Sequence, residues 1–238
     1  SRRIEELSSA LSHAALGSRM RPFGDLSAAF PRMVRDLARQ LNRRVRLDIV
    51  GTGVHVDREM LSRLEAPLTH LLRNCIDHGI EPPAERVTAG KPEEATITLS
   101  ARHHAGRLVI SVADDGRGID AARVRARAIE RGLVPESIAR DLDESEVLEF
   151  LFLPGFSTAS EVTEISGRGV GLDVVQSMAH EVGGAVQVRS KPGAGTTFTM
   201  TLPVAVSVVR AAIVEVAGEP LAFPLARLER IVRRRSDE

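Results

Sequence analysis

The stretch His-Leu-Leu-Arg-Asn-Cys-Ile-Asp-His at residues 70–78 decides how the rest of the chain is interpreted. In a helix with about 3.6 residues per turn, His70 and Asn74 share one face. Either Asp77 or His78 extends that face, and apolar side chains cover the remainder. An asparagine side-chain oxygen is a hard, neutral ligand of the kind that Mg²⁺ accepts alongside its waters. The pattern predicts a helix that directs amide and imidazole groups at a ligand. The alternative is a surface helix with incidental polar residues.

A second stretch, Val-Ala-Asp-Asp-Gly-Arg-Gly-Ile-Asp at residues 112–120, runs from an apolar strand pattern directly into two glycines. Asp114 stands at the strand end, where its carboxylate can accept a hydrogen bond from an exocyclic amine such as that of adenine. Gly116 and Gly118 permit positive φ and close approach of the backbone to a ligand. Because Asp-Gly is a common turn pair, the motif taken alone is better explained as an ordinary turn.

Glycines also precede a predicted helix in Gly-Arg-Gly-Val-Gly at residues 167–171. Glycines that open a helix direct backbone N–H groups and the positive end of the helix dipole towards phosphate. No Gly-Lys-Ser/Thr occurs and no strand directly precedes, so the motif is neither a Walker A nor a Rossmann fingerprint. The alternative is a flexible linker before a helix.

Two further turns complete the set of motifs. Gly-Ala-Gly-Thr-Thr-Phe at residues 193–198 leads into a strand, and by itself it is an ordinary β connection. Phe-Leu-Pro-Gly-Phe-Ser-Thr at residues 152–158 places two aromatic side chains around a Pro-Gly turn, just before the glycine-rich loop. These aromatic side chains can anchor a mobile lid. The alternative is ordinary core packing, and the two interpretations involve the same contacts.

The hydrophobic periodicity predicts an α/β fold in which helices pack on one mostly antiparallel sheet, an α+β two-layer sandwich. Helices are predicted over residues 3–16, 26–42, 58–66, 67–78, 121–131, 143–151 and 171–182. Strands are predicted over residues 45–49, 95–102, 107–113, 185–190, 196–202, 207–216 and 220–224. Asp57 is a predicted N-cap, and residues 81–94, rich in Pro, Glu and Gly, are interpreted as an excursion.

Composition restricts the function classes. Lys+Arg and Asp+Glu both count 32, so the formal net charge is +0 and nucleic-acid binding gains little support. No apolar stretch is long enough to cross a membrane, and the N-terminus lacks a signal-peptide pattern. The single cysteine, Cys75, excludes an internal disulfide and fits a reducing compartment. Because Lys91 and Lys191 are the only lysines, phosphate contacts are expected from Arg or His.

The five motifs, in this order and spacing, resemble the boxes of the GHKL ATPase superfamily over about residues 30–203. Within it, the segments at 30–37, 70–81 and 152–159 resemble the CheA-type chemotaxis histidine kinases. The resemblance implies a Bergerat-type ATP-binding fold with ATP and Mg²⁺ as cofactors. It also implies three regions, which are the end of the dimerisation helices with a linker (1–29), the kinase catalytic domain (30–203) and the start of a regulatory, coupling-protein-binding β domain (204–238). We therefore expect the chain to be part of a longer protein.

The resemblance also assigns roles to individual residues. It implies that Asn74 coordinates Mg²⁺, that Asp114 reads the adenine amine, and that Gly116 and Gly118 let the base sit close. The remaining implied contacts are the lid glycines beside the phosphates (Gly167, Gly169 and Gly171), Asp77 and His78 near the phosphates, Thr196 or Thr197 supporting adenine or a water, and Arg73 and Arg123 as further candidates for phosphate charge.

His70 is the most informative position. Water-splitting relatives carry a glutamate four residues before the asparagine, and the resemblance places a histidine there in the chemotaxis branch. The implied phosphoryl acceptor is a histidine on a separate phosphotransfer domain, with His70 orienting or deprotonating it. None of the seven histidines in the chain reads as that acceptor, since His13, on a predicted helix, lacks an acidic neighbour. We therefore expect the fragment to bind ATP without phosphorylating itself.

The partners implied by the resemblance are the phosphotransfer domain of the same protein, a response regulator, a coupling protein and chemoreceptors. The full-length protein is expected to be a homodimer and this piece mostly monomeric, in the cytoplasm at receptor arrays on the inner membrane. Two alternatives stay open, a GHKL-type ATPase that hydrolyses ATP and a non-catalytic nucleotide-binding regulatory module. An output other than flagellar motility is also compatible.

Overall fold

A five-stranded sheet with helices packed on it forms the framework of the first of two units, Ser1–Val204 and Ala205–Glu238. The computed structural model describes residues 19–156, 171–204, 211–216 and 219–224. The predicted helix over 3–16 lies outside these residues, and the roles assigned to 1–29, 30–203 and 204–238 stay predictions. The strands are β1 (Met20–Pro22), β2 (Val45–Val50), β3 (His55–Asp57), β4 (Ala95–His104), β5 (Arg107–Asp114), β6 (Ala185–Lys191), β7 (Gly195–Pro203), β8 (Ala211–Val216) and β9 (Glu219–Pro224). The α-helices are α1 (Phe23–Ser27), α2 (Phe30–Gln40), α3 (Arg58–Asn74), α4 (Pro83–Thr88), α5 (Ala121–Glu130), α6 (Glu136–Asp141), α7 (Glu144–Glu149) and α8 (Leu172–Glu181).

The central sheet has the strand order β2-β4-β5-β7-β6. β2 and β4 run parallel, and the other three neighbouring pairs are antiparallel, which confirms the prediction of a mostly antiparallel sheet. A parallel pair requires a crossover connection, and here β3 and α3 lie between β2 and β4 in the chain. α3 contacts β5, while α8 contacts β6 and β7.

The alternation of side chains along β5 explains how a carboxylate comes to be buried. Successive strand residues point to opposite faces, so Leu108, Ile110, Val112 and Asp114 share one face. The three apolar residues are 0% exposed and Asp114 is 8% exposed. Asp114 therefore continues a core-facing row, at the end of the strand where the packed core gives way to a cavity.

The helix predicted over 26–42 is two helices, so that prediction was wrong. α1 ends at Ser27 and α2 begins at Phe30, with Pro31 in the first turn of α2. Proline lacks an N–H and its ring clashes with the carbonyl of the residue four positions earlier, which is Ser27. A helix can begin at this proline, but continuing a helix through it would cost free energy. The helix therefore breaks before Pro31.

The opposite error was made at Pro67. The helices predicted over 58–66 and 67–78 form a single continuous helix there. α3 continues through Pro67 to Asn74, and Cys75–Gly79 then forms a π-helical turn. An interior proline costs about 3 kcal/mol, but Leu64, Leu68 and Leu71 on the same helix are 0% exposed. Because packing of an apolar face supplies most helical stability in proteins, the buried face keeps the helix continuous.

The predicted N-cap at Asp57 is confirmed, since its carboxylate accepts hydrogen bonds from the backbone N–H groups of Glu59 (2.8 Å) and Met60 (3.4 Å). A tight turn joins β4 to β5. Ala105 and Gly106 both have positive φ, at 49° and 71°, as a two-residue hairpin turn of type I′ requires.

Four elements were not predicted. α4 lies inside the segment interpreted as an excursion, α6 precedes the predicted helix at 143–151, and the short strands β1 and β3 pair with each other. Each of the four has six residues or fewer, too short for a hydrophobic period to emerge. The helix predicted over 143–151 is α7 followed by a 3₁₀ turn, Phe150–Phe152.

In the second unit, β8 and β9 pair as antiparallel strands. The described residues confirm strand structure in the regions predicted at 207–216 and 220–224. Within the described parts of the chain, no helix is long and apolar enough to cross a membrane.

Candidate nucleotide site

A cavity of about 440 Å³ opens where β5 and β7 end against the π-helical turn and α5. That volume lies within the range of about 300–1,000 Å³ usual for small-molecule sites. One wall is apolar, formed by Ile119, Val124, Leu151, Leu172 and Phe198. The polar lining consists of Arg43, Asn74, Cys75, Asp77, His78, Gly79, Asp114, Arg117, Gly118, Asp120, Arg123 and Thr196.

Asp114 lies in this cavity as a buried carboxylate held by hydrogen bonds. The backbone N–H of Gly116 donates to Oδ1 of Asp114 at 2.9 Å. Burial raises the pKa of Asp114, while hydrogen bonds from Gly116, the Cys75 thiol and the Thr196 backbone act in the opposite direction. The side chain is therefore oriented before any ligand arrives, and a donor that enters the cavity meets an acceptor with little access to water.

Cys75 has a role that the sequence did not reveal. The helical pattern placed it in an apolar stripe, and the structure places its thiol against Asp114. Burial and the neighbouring carboxylate raise the pKa of Cys75 well above its usual value, so the thiol stays protonated and donates to Asp114. No signal in a single sequence distinguishes such a thiol from an ordinary core cysteine.

Gly116 and Gly118 are required by packing between protein segments. A Cβ on Gly116 would overlap the carbonyl oxygen of Gly79 in the π-helical turn. Gly118 has φ +71°, and a Cβ there would overlap the carbonyl oxygen of Lys191. The Arg117 N–H donates to the Gly79 oxygen at 2.8 Å. The glycines thus let three chain segments meet at the cavity, and close approach to a base stays a prediction.

Of the two threonines singled out, the structure brings only Thr196 to the cavity. Thr196 pairs with Asp114 across β5 and β7, and it is 5% exposed. Its hydroxyl lies 2.9 Å from that of Ser190, and Ser190 Oγ accepts from the Ile119 N–H at 2.8 Å. Thr197 points to the opposite face by the alternation of the strand.

His70 and Asn74 form a hydrogen-bonded pair one turn apart on α3. Nδ2 of Asn74 donates to Nε2 of His70 at 3.0 Å, which places the ring proton of His70 on Nδ1. Burial, followed by the charge of Arg73, lowers the pKa of His70 below its usual 6.5, although Asp173 opposes the effect. The imidazole is therefore neutral at pH 7.

The pair also connects two surfaces. Asn74 lines the cavity, whereas His70 lines a groove on the outer side of α3 together with Ser62, Glu65, Ala66, Thr69 and Arg73. Arg73, a candidate for phosphate charge, therefore faces this outer groove and not the cavity. His70 reaches the cavity through Asn74.

Asp77 and His78 both line the cavity, and both side chains are partly exposed. Among the cationic residues, Arg123 lies at the cavity, and Arg43 and Arg117 also line it although neither was predicted to do so. Nε of Arg43 is buried without a hydrogen-bond partner in the described part of the chain. Its sequence context, Asn-Arg-Arg before a strand, offers no signal, because Arg43 meets the other lining residues only in the folded chain.

Of the three glycines predicted to line a lid, the structure describes Gly171. Gly167 and Gly169 lie outside the described residues, while Gly171 is the N-cap residue of α8, whose Leu172 lines the cavity. The aromatic residues of the Pro-Gly turn are held by packing. Phe152 packs edge-on against Phe198 at 6.4 Å, and the Arg131 guanidinium lies 5.5 Å above the ring of Phe156.

The side chains at the cavity fit a Mg²⁺ ion that is held mainly by the phosphates of a bound ligand. In the described residues no cluster of three or more His, Cys, Asp or Glu could hold a metal by itself. The Asn74 bond to His70 uses Nδ2, so Oδ1 is left to accept from a hard cation. Mg²⁺ typically takes one or two protein ligands together with phosphates and waters, which matches this arrangement.

Comparison with known proteins agrees with this geometry. The family model described as histidine kinase-, DNA gyrase B-, and HSP90-like ATPase matches residues 61–206. The chemotaxis protein CheA of Halobacterium salinarum is 43% identical over 233 residues, which cover 98% of this chain and 35% of that protein. The chemotaxis protein CheA of Bacillus subtilis is 39% identical over 226 residues, covering 95% of this chain and 34% of that protein. The chain thus spans roughly a third of the length of these relatives.

Among solved structures, the nucleotide-free catalytic domain of the histidine kinase ThkA matches with a TM-score of 0.50. The match covers 79% of this chain and 95% of that chain at 16% identity. At that identity the likeness concerns the fold alone, and it confirms the predicted class of helices packed on a mostly antiparallel sheet.

Proposed function

Because the chain belongs to the histidine kinase-, DNA gyrase B- and HSP90-like ATPase family, we propose that it is the ATP-binding catalytic core of a CheA-type histidine kinase. The observation that carries the proposal is the hydrogen bond between Asn74 and His70, 3.0 Å long, on the helix that lines the cavity. A relative that splits water needs a strong base at the position of His70. A neutral imidazole suits an acceptor that is itself a good nucleophile.

In this proposal ATP binds with its adenine against the apolar wall and its exocyclic amine donating to Asp114. The phosphates then lie towards Asn74 and His78, with Arg43 and Arg123 supplying positive charge from the cavity lining. Gly167, Gly169 and Gly171 would close over the phosphates from the lid. Thr196 supports Asp114 from the neighbouring strand through the backbone pairing of β5 with β7.

Asn74 would hold Mg²⁺ through Oδ1, and the metal would neutralise charge on the phosphate oxygens. His70 has the separate task of keeping Asn74 oriented. Since Nε2 of His70 accepts the Asn74 amide proton, the amide cannot rotate without losing that bond. With Nε2 occupied by Asn74, the Nδ1–H of the neutral ring is left to donate a hydrogen bond and so orient an imidazole that approaches along the outer groove.

The proposed reaction transfers the γ-phosphoryl group to a histidine on a separate phosphotransfer domain. A bond forms between the acceptor nitrogen and the γ-phosphorus while the bond to the bridging oxygen of ADP breaks. Catalysis of such a transfer rests on positioning and charge stabilisation. A response regulator then receives the group. A coupling protein, chemoreceptors, a homodimer of the full-length protein and a cytoplasmic site at receptor arrays belong to the same proposal.

The test is phosphoryl transfer in trans. The chain is incubated with Mg²⁺, ATP labelled at the γ-phosphate and the separately expressed phosphotransfer domain of the same protein. Acid-labile label on that domain, lost with Asp114→Ala in the kinase chain, supports the proposal. Rapid release of inorganic phosphate without the acceptor domain would establish an ATPase instead. Tight ATP binding with neither product would establish a non-catalytic regulatory module.

A further inference from the structure

Lys91 uses every donor of its ammonium group on one small region behind the cavity. Nζ donates to Oε1 of Glu81 at 2.8 Å, to the carbonyl oxygen of Asp115 at 3.1 Å and to the carbonyl oxygen of Gly116 at 2.7 Å. An ammonium has three protons, so none is left over. The side chain is 17% exposed and sits in the segment whose sequence predicted only an excursion.

Arg86 reaches the same place from α4. Its side chain is 1% exposed, and Nη1 donates to Glu81 at 3.1 Å and to the carbonyl oxygen of Asp115 at 3.2 Å. Glu81 thereby bridges two cations. Burial acts to raise the pKa of Glu81, but hydrogen bonds and the charges of Lys91 and Arg86 hold it below its usual value. The cluster is a paired, buried ionic group and not a surface salt bridge.

The two cations converge on one peptide group. The oxygen of the Asp115–Gly116 peptide accepts from both Lys91 and Arg86, and the N–H of the same peptide donates to Oδ1 of Asp114 at 2.9 Å. A trans peptide is planar, so fixing the direction of its oxygen fixes the opposite direction of its N–H. Cations on the oxygen also polarise the group and strengthen the bond that its N–H donates.

We propose that Lys91 and Arg86 are positioning residues that set the orientation of Asp114, and through it the preference of the site for a purine with an exocyclic amine. The inference deepens the proposed function and rests on it. Neither cation is among the residues that line the cavity, and both are linked to Asp114 through the Asp115–Gly116 peptide. Their effect is confined to the part of the ligand that Asp114 reads.

The chemistry of lysine fits this role better than that of arginine. Three acceptor oxygens surround one nitrogen, and a compact ammonium satisfies all of them, whereas a guanidinium presents its donors in a flat fork. The chain otherwise relies on arginine, and Lys91 and Lys191 are its only lysines. The second, Lys191, has an exposed side chain and provides a matched control.

The experiment compares ATP with purine riboside triphosphate, which lacks the exocyclic amine, in the presence of Mg²⁺. Dissociation constants are measured by calorimetry for the wild-type chain, Lys91→Met and Lys191→Met, after circular dichroism has verified folding. The wild type and Lys191→Met should prefer ATP by about tenfold or more, since a hydrogen bond to a charged group is at stake. Lys91→Met should bind both triphosphates within about threefold of each other.

The outcomes separate the two proposals. A variant that weakens both triphosphates equally, with the preference for ATP intact, shows a general structural role and overturns this inference. A wild-type chain that binds neither triphosphate overturns the proposed function and this inference with it. Should Lys91→Met not fold, Lys91→Arg keeps the charge but cannot serve all three oxygens, so the preference for ATP should still fall. An unchanged preference in Lys91→Arg overturns the inference.

Discussion

Nδ2 of Asn74 lies 3.0 Å from Nε2 of His70, so the residue that faces the cavity and the residue that faces the outer groove of α3 are joined by one hydrogen bond. The bond requires an unprotonated Nε2, and burial keeps the pKa of His70 low enough for that at neutral pH. Protonation of His70 would therefore break the bond to Asn74, one turn along the same face of the helix.

Replacing His70 tests its chemical role. In His70→Gln the side-chain oxygen can still accept from Asn74, but the imidazole that orients the acceptor is lost. We expect phosphoryl transfer to the phosphotransfer domain to fall by about 10², with the ATP dissociation constant changed by less than about threefold. Single-turnover transfer and calorimetry measure the two quantities. His180→Gln, on an exposed position of α8, is the matched control, and transfer at the wild-type rate by His70→Gln would refute the role.

The pH dependence of transfer follows from the lowered pKa of His70. The neutral ring is present above that pKa, so the rate should be flat from about pH 7 upwards and should decline only below the ordinary histidine value of about 6.5. For stability the sign is the same, because the unfolded chain binds the proton more tightly and folding weakens as pH falls below about 6.5. Rates measured from about pH 5.5 to 8 check this. An acid limb that persists in His70→Gln would assign it to another group.

Asp114→Asn should separate binding from stability. Because burial raises the pKa of Asp114, its ionised form destabilises the folded apo-chain above the ordinary aspartate pKa, and a neutral amide removes that cost. We expect an unchanged or slightly higher melting temperature together with a loss of ATP affinity of about tenfold or more. Thermal denaturation and calorimetry report both. Asp141→Asn, on an exposed position, should alter neither, and a marked drop in melting temperature for Asp114→Asn would contradict the argument.

The N-cap of α3 offers a prediction for stability alone. Asp57 is 0% exposed, and its carboxylate accepts from the N–H groups of Glu59 and Met60. Asp57→Ala should lower the free energy of unfolding by about 0.5–2 kcal/mol. Asp48→Ala, which removes a partly exposed ion pair with Arg46, should cost at most about 1 kcal/mol. Urea denaturation of both variants makes the comparison, and equal effects would show that the cap contributes little.

Period-two alternation made the central strands predictable, because β4, β5 and β7 each bury every second residue over most of their length. The ends of the helices were less predictable from the sequence. Pro31 and Pro67 carry the same local signal, yet the chain breaks before one and runs through the other. The difference is the buried face of α3, which only the folded structure shows.

For the site, spacing between motifs identified Asn74 and Asp114, because both lie where regular elements end. The groups that support them were invisible for a physical reason. Arg43, Cys75 and Lys91 act through contacts between segments distant in the chain, and each has an ordinary alternative explanation. The scarcity of lysine in an arginine-rich chain was the one available hint, and it pointed to Lys91 without indicating what it holds.

β7 is the last strand of its unit in the chain, yet it lies inside the sheet between β5 and β6. Ser111 and Thr199, whose hydroxyls meet across β5 and β7, are 88 positions apart. A ribosome must therefore release nearly the whole first unit before the strand that carries Thr196 can insert beside Asp114. Until then β5 has an open edge, and such late, long-range closure is slow and prone to mispairing. The cavity is therefore completed only late in synthesis, and a nascent chain cut short before β7 lacks Thr196 and Phe198 of its lining.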